Sequence, residues 1–251
     1  MNPVSSLSII PIYGIPLIKE SDSISDKIIQ ALEKNSLQLH EGDILVVAHT
    51  IISIAEGKLY NHDEVEVSAE AEHIAAATNF DAKKVEVALR EAEEIIRSSP
   101  TLITRTKHGI ITDYSGIDES NAPPGYYLAL PDNPNQSAEE ISKIISGKFG
   151  SNIPVIISDT QGRPWRRGAV NLAIGYYGLS PFSRNAGKKD LYGNVLRSSL
   201  VCLADELAAA AELVMGQANE RIPVVIIRGA KYSSSDEAES IIRDDAENLF
   251  I

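Results

Sequence analysis

Residues 156–168, which read I-I-S-D-T-Q-G-R-P-W-R-R-G, carry the side chains best suited to chemistry in this chain. The apolar run before them predicts a buried strand that ends at Asp159 and Thr160 and leads into a Gly-Arg turn. A carboxylate beside a hydroxyl suits a hard divalent cation. Three arginines follow that suit phosphate or carboxylate groups: Arg163, Arg166 and Arg167. A metal site next to an anion site indicates nucleotide chemistry.

A second acid occurs in a similar setting. Asp118 follows a predicted strand and Gly116, and Asn121 is placed to hydrogen-bond a base or a phosphate. Two carboxylates from separate loops, together with Thr160, could share one or two divalent ions that bridge nucleotide phosphates. The alternative for Asp159 is a structural one, in which its carboxylate caps the turn that follows the strand.

The composition is that of a globular protein with small-molecule partners. The chain has 251 residues, is 43% hydrophobic, and carries 23 basic against 35 acidic residues, a net charge of −12. This charge argues against nonspecific nucleic-acid binding. The single cysteine, Cys202, has apolar neighbours and is expected in the core. One cysteine cannot form a disulfide or a zinc framework within the chain.

Several familiar signals are missing from the sequence. The N-terminus lacks the basic start and long apolar stretch of a signal peptide, and no apolar run approaches the roughly 20 residues that span a bilayer. We therefore expect a cytoplasmic protein that does not contact membranes. The P-loop pattern fails around Gly187 and Lys188, and neither G-x-G-x-x-G nor H-E-x-x-H occurs.

Apolar periodicity and turn residues predict the elements that must position these side chains. Strands are predicted over residues 7–12, 44–48, 101–106, 110–113, 126–130, 154–158 and 223–227. Helices are predicted from Ser23 onward and over residues 68–79, 81–98, 137–149, 195–215 and 237–250. Because strands and helices mix without strict alternation, we expect an α+β fold with mixed β-sheets and packed helices rather than a doubly wound fold.

Three further features have two interpretations each. Trp165 among the arginines resembles an RNA-stacking patch, although the acidic net charge favours an anion clamp. Gly216 is typical of a helix C-cap, and the polar residues after it are equally suited to meeting a ligand. The segment 188–190 is either a solvated loop or part of a site.

Several strings, in order along nearly the whole chain, resemble the coenzyme F420-0:L-glutamate ligase (CofE) family. They are G-I-P-L-I at 14–18, G-D-I-L-V-V-A-H-T at 42–50, G-I-D-x-S-N at 116–121, D-T-x-G-R-x-x-R-R-G at 159–168, A-I-G at 173–175, K-D-L-Y-G at 189–193 and A-D-E-L-A-A-A-A-E-L-V-M-G-Q at 204–217. The string at 159–168 is the most specific of them.

This resemblance implies a fold and an activity. The fold would be a single α+β domain, residues 1–251, built of two intertwined subdomains, with a boundary near residues 122–136 that four prolines also favour. The extra nitroreductase-like domain of some relatives would be absent. The activity would be GTP-dependent addition of L-glutamate to the coenzyme F420 precursor by a homodimer that needs two divalent ions, manganese or magnesium, and potassium.

The resemblance also assigns residues by position. Asp118 and Asp159 would bind the first metal, and Thr160 and Gln217 the second. The residues expected to hold GTP are Ile15, Pro16, Leu17, Ile18, His49, Thr50, Asn121, Met215, Gly216, Gln217, Ala218, Asn219, Glu220, Arg221 and Ile222. Separately from the resemblance, the anion-binding chemistry of Arg163, Arg166 and Arg167 predicts that they bind the anionic groups of the acceptor.

Two positions depart from the family pattern. Ile54 stands where the family usually has a lysine that would touch the nucleotide, and Gln217 is neutral where some members carry an acid. These changes bear on nucleotide affinity and metal preference. Two other hypotheses therefore stay open: a metal-dependent nucleotide-binding protein without ligase activity, and a ligase of the same mechanism that acts on another phosphorylated acceptor.

Overall fold

The computed structural model describes residues 6–236 and 239–249. Its helices are α1 (Ile24–Lys34), α2 (His49–Ala55), α3 (Ala69–Thr78), α4 (Ala82–Glu91), α5 (Pro134–Phe149) and α6 (Leu203–Met215). Its strands are β1 (Ser8–Pro11), β2 (Ile44–Ala48), β3 (Leu59–Asn61), β4 (Ala92–Arg97), β5 (Ile103–Thr106), β6 (Ile111–Asp113), β7 (Tyr126–Leu128), β8 (Val155–Arg163), β9 (Arg166–Tyr177), β10 (Phe182–Arg184), β11 (Leu200–Cys202) and β12 (Val224–Arg228).

A five-stranded mixed sheet forms the centre of the fold. Its strand order is β1-β12-β2-β8-β9, and only the β2–β8 pair is parallel. Both faces of its inner strands are buried, as the continuous apolar run of β2 indicates. Leu45 and Val47 point into a core shared with α1 and α5, whereas Ile44 and Val46 point into a core shared with α6. These layers confirm the predicted α+β class.

A second, smaller unit lies between α2 and α5 in the chain. It contains α3, α4, the antiparallel sheet β4-β5-β6 and the β3–β7 pair, around its own apolar core. Leu102 and Tyr127 are among the most buried side chains of that core. The predicted boundary near residues 122–136 falls where the chain returns from this unit to α5, and it stays a prediction.

Two predicted helices were too long, because part of each predicted range forms a strand that pairs with another segment of the chain. Residues 92–97 fit the helical spacing, yet they form β4 and pair with β5, while the Glu91 carbonyl at the end of α4 accepts from the Lys107 amide at 3.4 Å. Residues 195–202 likewise do not extend α6. They form a loop and β11, which pairs with β10, and Val195 and Leu200 are each 57% exposed.

The predicted C-terminal helix over residues 237–250 is also wrong. Within the described residues 239–249, only Asp245–Glu247 forms a short 3-10 turn. Arg105 of the smaller unit pairs with Asp245 at 2.7 Å, Arg184 pairs with Glu239, and Ile241 packs against the core shared with α6, so side-chain contacts fix this segment without a helix. Residues 237, 238 and 250 of that prediction lie outside the described residues.

No helix of the described chain has both the length and the apolar composition that crossing a bilayer requires.

Cys202 provides a test of the packing beside α6. It is half-buried against the core on the α6 side of the sheet, and burial raises the pKa of its thiol to about 12. Because the thiolate is the reacting species, we expect a disulfide reagent at pH 8 to modify the native protein at least ~100-fold more slowly than the urea-unfolded chain. Cys202 is the only thiol, so absorbance of the released reagent reports on it alone. Equal rates would contradict this packing.

Candidate nucleotide and metal site

One edge of the central sheet gathers several of the predicted site residues. β2 and β8 are parallel, and their ladder ends where Ala48 lies opposite Ser158, so His49 and Asp159 follow it at the same edge. β12 runs the other way and begins there, since the Ala48 amide donates to the Pro223 carbonyl at 2.9 Å. The segment after β1 reaches the same edge through a bond from the Ile12 amide to the Val224 carbonyl.

Asp159 is a buried carboxylate with ordered partners. Its Oδ1 accepts from the Thr160 amide at 2.7 Å and lies 3.2 Å from His49 Nε2, while its Oδ2 accepts from Gln161 Nε2 at 3.2 Å. Ser53 Oγ lies 3.3 Å from the other ring nitrogen of His49. The His49 ring is therefore held against the carboxylate, and Asp159 does more than cap a turn.

β8 does not end at Asp159, contrary to the sequence-based expectation. It continues to Arg163 and forms a hairpin with β9, whose turn is Pro164 and Trp165. The ladder has a register shift between Ile157 and Ser158, directly before the acid. Asp159 and Thr160 thus lie inside a strand pair, which fixes them more rigidly than a loop would.

Thr160 connects Asp159 to the predicted residue Gln217 and to two side chains that the sequence did not single out, Asn171 and Glu212. Its hydroxyl donates to Asn171 Oδ1 on β9 and accepts from Gln217 Nε2 at 2.7 Å. The same Gln217 nitrogen also donates to Glu212 Oε1 near the end of α6. Three elements therefore meet at one polar cluster, formed by Thr160, Asn171, Glu212 and Gln217, that we call the Thr160 cluster.

Glu212 is the unusual member of the Thr160 cluster. Its Oε2 is buried and has no hydrogen-bond partner among the described residues. Burial raises the pKa of this carboxyl, the side chains of Gln217 and Asn171 oppose the shift by hydrogen bonding, and the charge of Glu220 adds to it. A signal was present in the sequence, because residues 208, 212 and 215 share a helix face on which Ala208 and Met215 are buried.

The two loops predicted to hold GTP flank this edge. Ile15 is buried and anchors residues 15–18, whereas Leu17 is 88% exposed. The loop 216–222 starts at Gly216, the C-cap of α6, where an added Cβ would lie 2.3 Å from Glu220 Cδ. The C-cap interpretation is therefore correct, and it leaves the polar part of the loop exposed beside Thr160.

The Asp118 loop is a separate piece of the candidate site. Asp118 Oδ1 accepts from the Glu119 amide at 2.7 Å, the Ser120 amide at 2.8 Å and the Ser120 hydroxyl at 2.7 Å. Its Oδ2 keeps its lone pairs, so the carboxylate is oriented but available. Asn121 follows with φ 57°. Within the described chain no hydrogen bond or ion pair joins Asp118 to Asp159, and their sharing of a metal stays a prediction.

The three arginines have different surroundings. Arg163 donates to the Gly168 and Arg167 carbonyls at 3.2 and 3.1 Å, so its guanidinium stabilises the hairpin tip. Arg166 and Arg167 are exposed, and across residues 6–236 and 239–249 neither side chain has an ion pair. Arg166 and Arg167 are thus the two guanidinium groups of this set that are free to bind an anion.

Two other features limit where the chemistry can lie. A surface cavity of about 570 Å³ lies elsewhere, between α5 and β9, and its lining contains none of the predicted site residues. The described residues contain no group of three or more histidine, cysteine, aspartate or glutamate side chains arranged to hold a metal. Any metal at the sheet edge would therefore depend on hydroxyl and amide oxygens as well as carboxylates.

Comparison with known proteins places the chain in a family. A model of the F420-0:Gamma-glutamyl ligase family matches residues 14–229. The coenzyme F420:L-glutamate ligase of Methanothermobacter thermautotrophicus is 47% identical over 89% of both chains, and that of Methanopyrus kandleri is 42% identical over 100% of both. The Archaeoglobus fulgidus protein of the same name is 37% identical over 97% of this chain and 96% of its own. This chain belongs to the F420-0:gamma-glutamyl ligase family.

Proposed function

We propose that this protein adds L-glutamate to the coenzyme F420 precursor in a GTP-dependent reaction, with two divalent ions, manganese or magnesium, and with potassium. The observation that supports the proposal best is the sheet edge itself. There β2, β8, β12 and α6 bring a buried carboxylate, a hydroxyl and a polar loop together in a chain of this family. We also propose that the protein acts as a homodimer.

The residues present fit a hard divalent cation. Asp159, Thr160 and Gln217 offer carboxylate, hydroxyl and amide oxygens, which are the donors that magnesium and manganese accept. Bound divalent ions would neutralise charge on the β- and γ-phosphates of the nucleotide. His49 and Gln161 hold the Asp159 carboxylate in one orientation, so little reorganisation is needed when a cation binds.

The reaction needs an activated carboxylate, because a carboxylate is a poor electrophile. An oxygen of the acceptor carboxylate attacks the γ-phosphorus of GTP, the bond to the β-phosphate oxygen breaks, and GDP leaves. The amine of glutamate then attacks the carbonyl carbon of the acyl phosphate. Phosphate leaves, the amine loses a proton, and an amide remains. In this scheme Arg166 and Arg167 bind the anionic groups of the acceptor.

The test uses purified protein with GTP, glutamate, manganese, potassium and the F420 precursor. We expect a product heavier by one or more glutamate residues, formed together with GDP, and its mass also counts the glutamates added. Nucleotide binding without any product would support the non-catalytic hypothesis, for which Ile54 in α2 is the motivating substitution. Product formation only with a different phosphorylated acceptor would support the third hypothesis.

A further inference from the structure

The Thr160 cluster has a carboxylate for which the expected ligand set has no role. The second divalent ion was expected to bind Thr160 and Gln217, both of which are neutral. A site without a charged ligand binds divalent ions weakly, since ligand charge is a main determinant of affinity. The nearby carboxylate is that of Glu212, which accepts a hydrogen bond from Gln217 Nε2.

We propose that Glu212 is a ligand of the second divalent ion and supplies the negative charge that Gln217 lacks. The inference rests on the proposed function, because it concerns one of the two ions in that proposal. It goes beyond that proposal by assigning Glu212, a residue of α6, to the ion.

The hydrogen bonds of the cluster support this assignment. Gln217 uses its nitrogen for both Thr160 and Glu212, which leaves its own carbonyl oxygen without a partner in the described chain. Glu212 Oε2 is likewise buried, and it has no partner with normal hydrogen-bond geometry among the described residues, although the Asn171 side chain lies close to the carboxylate. Leaving a carboxylate oxygen buried and unbonded is costly. A cation bound to the Glu212 carboxylate would satisfy its buried oxygen, and the carbonyl oxygen of the exposed Gln217 side chain is available as a further donor.

The arrangement also explains how a neutral residue is tolerated at position 217. The Gln217 amide donates to Glu212 and holds it toward Thr160, whereas a glutamate at 217 would repel it. Either acid alone gives the cluster one negative charge. A glutamine at 217 therefore makes Glu212 the charged ligand, and a glutamate at 217 would take over that role.

The test measures Mn²⁺ binding with the full chain, by the electron paramagnetic resonance signal of free Mn²⁺. We expect two ions per wild-type chain. Glu212→Gln keeps an oxygen that accepts from Gln217. It is expected to raise the dissociation constant of the second Mn²⁺ ion by at least about tenfold and to leave that of the first ion unchanged. Glu206→Gln is the matched control, because Glu206 is exposed on the same helix, and it should bind two ions as the wild type does.

The outcomes separate this inference from the proposed function. If the wild type binds two ions and Glu212→Gln binds both with unchanged dissociation constants, Glu212 is not a ligand, while the proposed function stands. If the wild type binds no Mn²⁺, both fail. The double variant Glu212→Gln, Gln217→Glu keeps one acid in the cluster and is expected to regain the second ion. A double variant that unfolds like the wild type but still binds one ion would overturn the inference.

Discussion

Asp159→Asn is expected to reduce glutamate-dependent GDP release by at least about 10³-fold. Asparagine has nearly the same shape and can still accept from the Thr160 amide, so the strand pair should persist. It lacks the negative charge that a divalent ion needs, and stabilising charge on transferring phosphoryl groups is usually a large part of catalysis. Steady-state assays of GDP and product masses, at saturating GTP and manganese, measure the loss.

Controls separate this effect from general damage. Asp63→Asn removes an exposed charge in the smaller unit and should leave the rate within about twofold of wild type. The urea midpoint of Asp159→Asn is expected to fall, because the asparagine NH2 group cannot accept the hydrogen bond from Gln161 Nε2, so the rates are compared without urea at a temperature where both proteins are folded. An undiminished rate in a folded Asp159→Asn protein would exclude Asp159 as a metal ligand.

The sequence predicted the pieces of the sheet edge but not their arrangement. Apolar runs identify β2, β12 and the first half of β8, since each of these stretches is buried on both faces. Nothing local, however, states that β2 and β8 are parallel neighbours. That pairing alone brings His49 to within 3.2 Å of Asp159, although more than 100 residues separate them. The proposed roles of these residues were assigned from the family resemblance, whereas their distances and contacts follow only from the folded structure.

The errors over residues 92–97 and at the end of β8 share one physical cause. Helical spacing is a local signal, whereas strand pairing is a property of distant partners, and it overrides propensity where a ladder is available. Residues 92–97 contain glutamates that favour helix, yet they pair with β5. The Pro164-Trp165 turn shows the same effect, because β8 continues past Gly162 only through its ladder with β9.

Glu212 and Asn171 were missed for a related reason. From the sequence alone, Glu212 is a charged residue in a helix and Asn171 is a polar residue in a strand, and neither position suggests a functional role. Only the meeting of α6, β8 and β9 places both beside Thr160. An acid on an otherwise apolar helix face was the one signal that could have identified Glu212 from sequence.

Gly175→Ala is expected to destabilise the protein by about 3 kcal/mol and to impair the site at the same time. A Cβ at Gly175 would lie 2.4 Å from the Pro134 backbone carbon and 2.5 Å from its carbonyl oxygen. Backbone atoms cannot rotate away, so either α5 or β9 must shift, at the upper end of the usual cost of overpacking. Gly175 pairs with Ile157 at the register shift that precedes Asp159, and a shift of β9 would displace that acid.

Gly147→Ala is a control in α5, the helix against which Gly175 packs, and it is expected to change the free energy of unfolding in the opposite direction. Gly147 is exposed within α5, and a Cβ there meets nothing within 4 Å. Alanine favours helix over glycine by about 1 kcal/mol, so this variant should be more stable than wild type by a similar amount, with unchanged activity. Urea unfolding with a common slope measures both changes. If Gly175→Ala were as stable as wild type, the close approach of β9 to Pro134 would be wrong, and the rigid placement of Asp159 that depends on it would lose its support.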